Sequence, residues 1–466
     1  MKYKHLVIKE LKETFKISLP LVSSQLINAA CVFISTVIIA KLGKDYLAAN
    51  VIVSTIWAGI TVFFLSILNS VSILISHDYG ANNGPNINMI IKHAYALGII
   101  LTIFILIILA IIPMFLNLSH QPAQIIMLAK AYIYSLMFAA PGLVFLVIME
   151  HILISTGRSN IVMRMNFIVM PVEILLIYAF VLGQFGFPKL GMVGVGLSLS
   201  LTYTCTAVVC GILVGVSFPP PIPGTSPKTA EGKLRRKSIL YKEIIDFNLL
   251  KKLLSIGLPI GFTSAVELGT FMLITLYVSH YGVNMLVAHQ IALQYFNFAV
   301  TLIIAMSQAL TIRVGYLLGK NDISGIKRII YSSIGLNLFI MFLVAAIFYL
   351  YPLKLLQFDI DVYKPENISI VYYASNLLAL CGIILVFENL RIIGIGALRG
   401  LKDTKATLYI SCFGFCVIGI SLAYVFGQLF NISIIGVWSG ILFGVICSTI
   451  LIHLRLRSLL AFINCS

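Results

Sequence analysis

Long apolar runs separated by short polar stretches make up most of this chain. They lie at roughly 16–40, 51–77, 93–116, 126–155, 161–183, 191–217, 250–280, 286–318, 328–353, 368–398, 406–429 and 434–456. A helix needs ~20 mostly apolar residues to cross ~30 Å of hydrocarbon, and each run meets that length. The runs are continuous rather than alternating with period two, so they predict spanning helices and not the short strands of a membrane barrel. The expected fold class is an all-α polytopic membrane protein with twelve transmembrane helices. One stretch breaks the pattern. At 218–248, Pro219, Pro220, Pro221, Pro223 and Pro227 are followed by Lys233, Arg235, Arg236 and Lys237. This reads as a polar cytoplasmic linker that divides the spans six and six, between an N-lobe at 1–217 and a C-lobe at 249–466.

The two lobes repeat each other. At an offset of 239 residues, Pro20 in "ISLP" matches Pro259 in "IGLP", and Gly43 matches Gly282. Leu47 likewise matches Leu286, Gly80 matches Gly319, and Asn82 matches Asn321. An even number of spans separates the copies, so both lobes enter the membrane in the same direction. That is a parallel repeat about an axis along the membrane normal, an arrangement suited to alternating access.

Composition agrees with the pattern. The chain is 60% hydrophobic and 10% charged, with a mean hydropathy of +1.04, beyond the range of soluble domains. The net charge of +16 invites a nucleic-acid reading, but the placement of the basic residues argues otherwise. With the N-terminus in the cytoplasm, cytoplasmic segments hold 26 of the 32 Lys and Arg. The other side keeps Lys41, Lys44, Lys130, Lys189, Lys354 and Lys364. This is positive-inside bias, placing both termini in the cytoplasm of a multi-pass protein of the inner membrane. Lipid is the expected surrounding partner, nucleic acid is not, and a monomer is expected. No cleavable signal peptide is evident. The eight cysteines show no C-x-x-C spacing, and no metalloprotease, phosphate-loop or nucleophile-elbow motif occurs. An enzyme is therefore not expected, and no cofactor is implied beyond a coupling H⁺ or Na⁺.

The informative exceptions are acids inside apolar runs: Glu150, Glu173, Glu267 and Glu388. A charge at the bilayer centre costs at least ~2.5–3.5 kcal/mol, and such residues mark ion or substrate pathways. Glu267 lies midway along span seven, with Ser264 and Thr275 on its polar stripe. Glu388 lies eleven residues before Arg399, ~16 Å along the axis. The two could hold protons or chelate Na⁺. Arg391, three residues after Glu388, could pair with it or snorkel to the cytoplasm beside Arg399. In the first lobe Glu173 follows Pro171 near mid-depth, and span one carries a polar stripe of Gln25, Asn28 and Ser35. Gln25, Asn28, Ser35, Ser264, Gln290 and Arg391 are candidates for the substrate cavity. Pro20 and Pro259 are expected to kink or start their helices. His289 is expected at a hydrogen-bonded interface, and Trp57 and Trp438 in packing or belt roles.

"VAHQIALQYFNF" at 287–298, "TIRVGYLLG" at 311–319 and "GALRGLKDTK" at 396–405 resemble the multidrug and toxic compound extrusion family, nearest its NorM-like branch. The resemblance implies an antiporter that exports organic cations in exchange for Na⁺ or H⁺. It also implies coupling acids eight residues after the span-seven proline, here Glu267, and eleven before the Arg of L-R-G, here Glu388. Three positions depart from the family pattern: Ser35 stands where an Asp is common, Ile384 where Tyr is common, and Arg391 where an uncharged residue is usual. Glu173 is the candidate for the missing first-lobe acid. Two rival readings are a flippase for lipid-linked saccharides, which needs a basic cavity, and a membrane receptor or enzyme.

Overall fold

The computed structural model describes residues 2–119, 121–217, 246–430 and 432–465. Among these, twelve helices are long and apolar enough to cross a membrane. They are α1 (Phe15–Ala40), α2 (Lys44–Gly80), α3 (Gly84–Phe115), α4 (Ala123–Ser155), α5 (Ser159–Leu182) and α6 (Met192–Ile212). The second set is α7 (Phe247–Tyr281), α8 (Val283–Gly319), α9 (Ile323–Leu350), α10 (Pro365–Gly400), α11 (Thr404–Leu429) and α12 (Ser433–Ile463). No strand occurs among the described residues. Large apolar side chains stand exposed along these helices, among them Phe33, Ile168, Phe339 and Phe342. Water would penalise such a surface; lipid covers it without cost.

Several helices begin before their apolar runs do. The expected run 93–116 became a helix from Gly84, because Asn83 caps it: its side chain accepts from the Asn86 backbone N–H at 3.4 Å. At the equivalent position of the second half, Asp322 caps α9 by accepting from the Gly325 N–H at 2.7 Å. These first turns are polar and project beyond the hydrocarbon, so hydropathy does not register them, whereas capping does. Pro20 and Pro259 both lie inside continuous helix and start neither of their helices.

The internal repeat is written into the backbone. Gly43 and Gly282 take positive φ of 119° and 99°, and Asn82 and Asn321 take left-handed φ of 56° and 58°. Glycine meets the first requirement at no steric cost, and asparagine is the side chain that best tolerates the second. Both pairs sit at the offset of 239 residues. A further equivalent pair, Gly157 and Lys402 (φ 77° and 67°), is offset by 245. At each, the following residue donates to a carbonyl five back, Arg158 to Leu153 and Asp403 to Leu398. The extra residues lie between α9 and α10, where the connection carries an added helical turn, Pro352–Leu356.

The chain forms two compact units, residues 19–261 and residues 262–466 together with 1–18. In the first, α4 is the central helix and packs along α6, α3 and α2. In the second, its repeat partner α10 is central and packs on α8, α9 and α12. The expected linker at 218–248 lies outside the described residues except for 246–248. Where the chain resumes, the Asp246 N–H donates to His93 Nε2 at 2.8 Å, tying the entry of α7 to α3 within the first unit.

Candidate functional site

Two acids and one base meet inside the second unit. Glu388 and Arg391 share a face of α10 because three residues make nearly one helical turn. The guanidinium grips Glu388 as a fork, Nε to Oε2 at 2.8 Å and Nη2 to Oε1 at 2.5 Å. Its third nitrogen, Nη1, donates to Glu267 Oε1 on α7 at 2.6 Å. The Ser411 hydroxyl of α11 lies 3.4 Å from the same Glu267 oxygen and 3.5 Å from Nη1. The Phe415 ring faces the guanidinium carbon at 4.8 Å. Arg391 has 1% of its side chain exposed and Glu267 has 27%; Glu388 is buried. Geometry of this kind, bidentate and charge-assisted, gives the strongest hydrogen bonds between side chains.

The alternative that Arg391 snorkels to the cytoplasm is thereby corrected. The guanidinium is fully desolvated, which is tolerable only with its charge paired, and two carboxylates provide that. Without this residue, the Lys and Arg expected on the cytoplasmic side number 25 of 32 rather than 26. Two carboxylates against one guanidinium leave the cluster one net negative charge, and Glu267 is the member that is partly open.

The remaining candidates fall in different places. In the first unit Cys31 donates its thiol hydrogen to Glu173 at 3.3 Å. One turn on, the Ser35 hydroxyl donates to the Cys31 carbonyl at 2.7 Å. Tyr132 and Tyr203 lie within electrostatic range of Glu173, and Tyr203 is also in range of Glu150. Asn166 is within hydrogen-bond reach of Glu150. Gln25 is half-buried, while Asn28 and Gln290 are exposed; no contact joins these three to either acid cluster among those the structure describes. Ser264 is half-buried on α7, one turn before Glu267.

His289 is a fully satisfied interior residue. The Trp438 indole N–H donates to its Nδ1 at 3.0 Å, and its Nε2 lies 2.9 Å from the Thr275 hydroxyl. That hydroxyl donates to the Phe271 carbonyl at 2.9 Å. The network assigns the ring proton to Nε2 and leaves a neutral imidazole bridging α7, α8 and α12. Trp438 is completely buried, a packing residue and not a belt aromatic.

Ser411, Phe415, Cys31, Tyr132 and Tyr203 were not among the residues the sequence singled out. For Cys31 a signal existed, since it lies on the stripe of Asn28 and Ser35 at helical spacing. For Ser411 and Phe415 there was none: α11 is apolar with scattered hydroxyls, and its register against α10 comes only from packing. Among the described residues, no three His, Cys, Asp or Glu side chains converge as metal ligands would.

A twelve-helix protein of two repeated units, with acids inside the apolar helices of each, defines a multi-pass membrane transporter. The MatE family model matches residues 20–179 and 259–425, so the chain belongs to the MatE family, a family of transporters and not of enzymes. The probable multidrug resistance protein NorM of Pseudomonas aeruginosa is 28% identical over 441 residues, covering 95% of this chain and 88% of that protein. The multidrug resistance protein MdtK of Photorhabdus laumondii is 25% identical over 454 residues, covering 96% and 95%. The fold is shared with a MOP superfamily transporter from Pyrococcus furiosus, with a TM-score of 0.85, 19% identity, and 98% and 97% of the two chains covered. It is shared too with the Vibrio cholerae MATE transporter VcmN, at a TM-score of 0.82, 16% identity, and coverage of 97% and 98%.

Proposed function

We propose that this protein is a secondary antiporter of the inner membrane. It exports amphipathic organic cations in exchange for H⁺ or Na⁺, with both termini in the cytoplasm. The observation that carries this reading is the buried Glu267–Arg391–Glu388 cluster, with its one surplus negative charge and one partly open acid. A lone surplus charge at mid-helix is costly unless a cation visits it. Antiport follows if the coupling cation and an organic cation take turns there, since neither can occupy the site while the other does. Names of the relatives, multidrug resistance proteins, support drugs as the exported class. A saccharide-lipid flippase needs free cationic groups for phosphates, and in this cluster the guanidinium is committed to two carboxylates.

Purified protein in proteoliposomes loaded with a fluorescent lipophilic dye cation tests the reading. Efflux should accelerate when ΔpH or ΔNa⁺ is imposed, each applied separately. Efflux that responds to neither gradient would overturn it.

A further inference from the structure

The cation position of the second unit already holds a cation. Three guanidinium nitrogens engage both oxygens of Glu388 and one oxygen of Glu267. A hard metal cation is bound by several oxygen ligands at once. In this cluster Nη1 also reaches the Ser411 hydroxyl at 3.5 Å, and Glu267 Oε2 is the carboxylate oxygen the guanidinium leaves. The Phe415 ring lies 4.8 Å from the guanidinium carbon, a cation–π distance that adds to the hold on the fork. Arginine is permanently charged and cannot hand its site over by deprotonating. A free metal ion would thus have to displace a tethered, bidentate, desolvated partner from Glu388.

From this we infer that Arg391 is a tethered substitute for a coupling metal ion, which excludes Na⁺ from the Glu267–Glu388 cluster of the second unit. The groups facing Glu267 are Arg391 and the more distant Arg399 on α10 and Ser411 on α11. With Glu267 ionised the cluster carries one negative charge, which an organic cation can neutralise. Arg391 is accordingly the residue that sets ion specificity. This refines the antiport reading and rests on it.

The test is equilibrium binding of radioactive Na⁺ to purified, substrate-free protein in detergent, which needs no transport. The wild type should show no saturable Na⁺ binding that Glu267→Gln removes. Arg391→Gln should gain a single saturable Na⁺ site, lost again in the double variant Glu388→Gln with Arg391→Gln. Arg391→Lys keeps the fixed charge and should bind no Na⁺, so it and the wild type decide the matter even if Arg391→Gln does not fold. Saturable Na⁺ binding by the wild type that depends on Glu267 or Glu388 would overturn the inference. So would a folded Arg391→Gln protein that binds no more Na⁺ than wild type. In the first case antiport itself stands, with Na⁺ as its ion; failure of efflux under both gradients would defeat antiport and leave the binding result unchanged.

Discussion

Arg391 is a buried guanidinium whose charge is paired with two carboxylates. Removing one partner of a buried ion pair leaves the other charge stranded in low dielectric, at a cost of about 3–5 kcal/mol. Arg391→Ala is therefore expected to lower the thermal unfolding midpoint in detergent strongly. Neutralising both sides of the fork, Glu388→Gln with Arg391→Gln, should restore much of the loss. A single-variant penalty no larger than that of the double would show that the pair is not coupled. In the first unit, Glu173 has neutral partners in Cys31 and the nearby tyrosines. If that unit joins the coupling, Glu173→Gln should shift the pH profile of efflux, and Ser35→Asp, one turn beyond Cys31, should partly return it. An unchanged profile would confine coupling to the second unit. The acids themselves were legible in the sequence, because a carboxylate within an apolar run is rare and expensive. Which way Arg391 turns was not, since an i,i+3 partner and a snorkelled side chain leave identical patterns. Only the approach of α7, bringing Glu267 to the far nitrogen, separates them.

Helix α11 owes its position to small residues. A Cβ on Gly440 of α12 would stand 2.1 Å from the backbone nitrogen of Ala423, and one on Gly444 would stand 2.5 Å from the Gly414 carbonyl oxygen. Glycines at such crossings let two backbones approach closely enough for dispersion to hold them in lipid, where hydrophobicity gives no preference for helix over solvent. The close approach coincides with two stretches of α11 wound as wide π-turns, Cys412–Gly419 and Val425–Leu429. Such turns concentrate at functional positions, and the first of them carries Phe415 onto Arg391. Gly440→Leu should push α11 away and cost about 1–3 kcal/mol or more, read as a lower unfolding midpoint and reduced efflux. Retention of the wild-type midpoint would mean the crossing is looser than it stands here. The existence of each helix was readable from its apolar run. Its ends were not, because caps such as Asn83 and Asp322 act outside the hydrocarbon, and nothing in hydropathy distinguishes a π-turn from an α-turn.

For the molecule as a whole, the repeat was visible in sequence only over the first two helices of each unit, where turns demand glycine or asparagine at fixed offset. Beyond that, the added turn Pro352–Leu356 shifts the register from 239 to 245 residues, and apolar helix surfaces tolerate too many substitutions to keep a signature. Topology depends on the 218–248 segment being cytoplasmic. In a background with the native cysteines replaced, Ser226→Cys should resist a membrane-impermeant maleimide added outside intact cells and react after permeabilisation. Labelling without permeabilisation would invert the orientation. The claim on which transport rests is that Glu267 supplies the exchangeable charge. Gradient-driven dye efflux from proteoliposomes, compared between wild type and Glu267→Gln at equal reconstitution, decides it. Glutamine keeps the size of the side chain and can still hydrogen-bond Arg391 and Ser411, so the variant should fold and insert yet lose gradient-driven efflux. Efflux at the wild-type rate would show that Glu267 only holds α7 against α10 and that the coupling charge lies elsewhere.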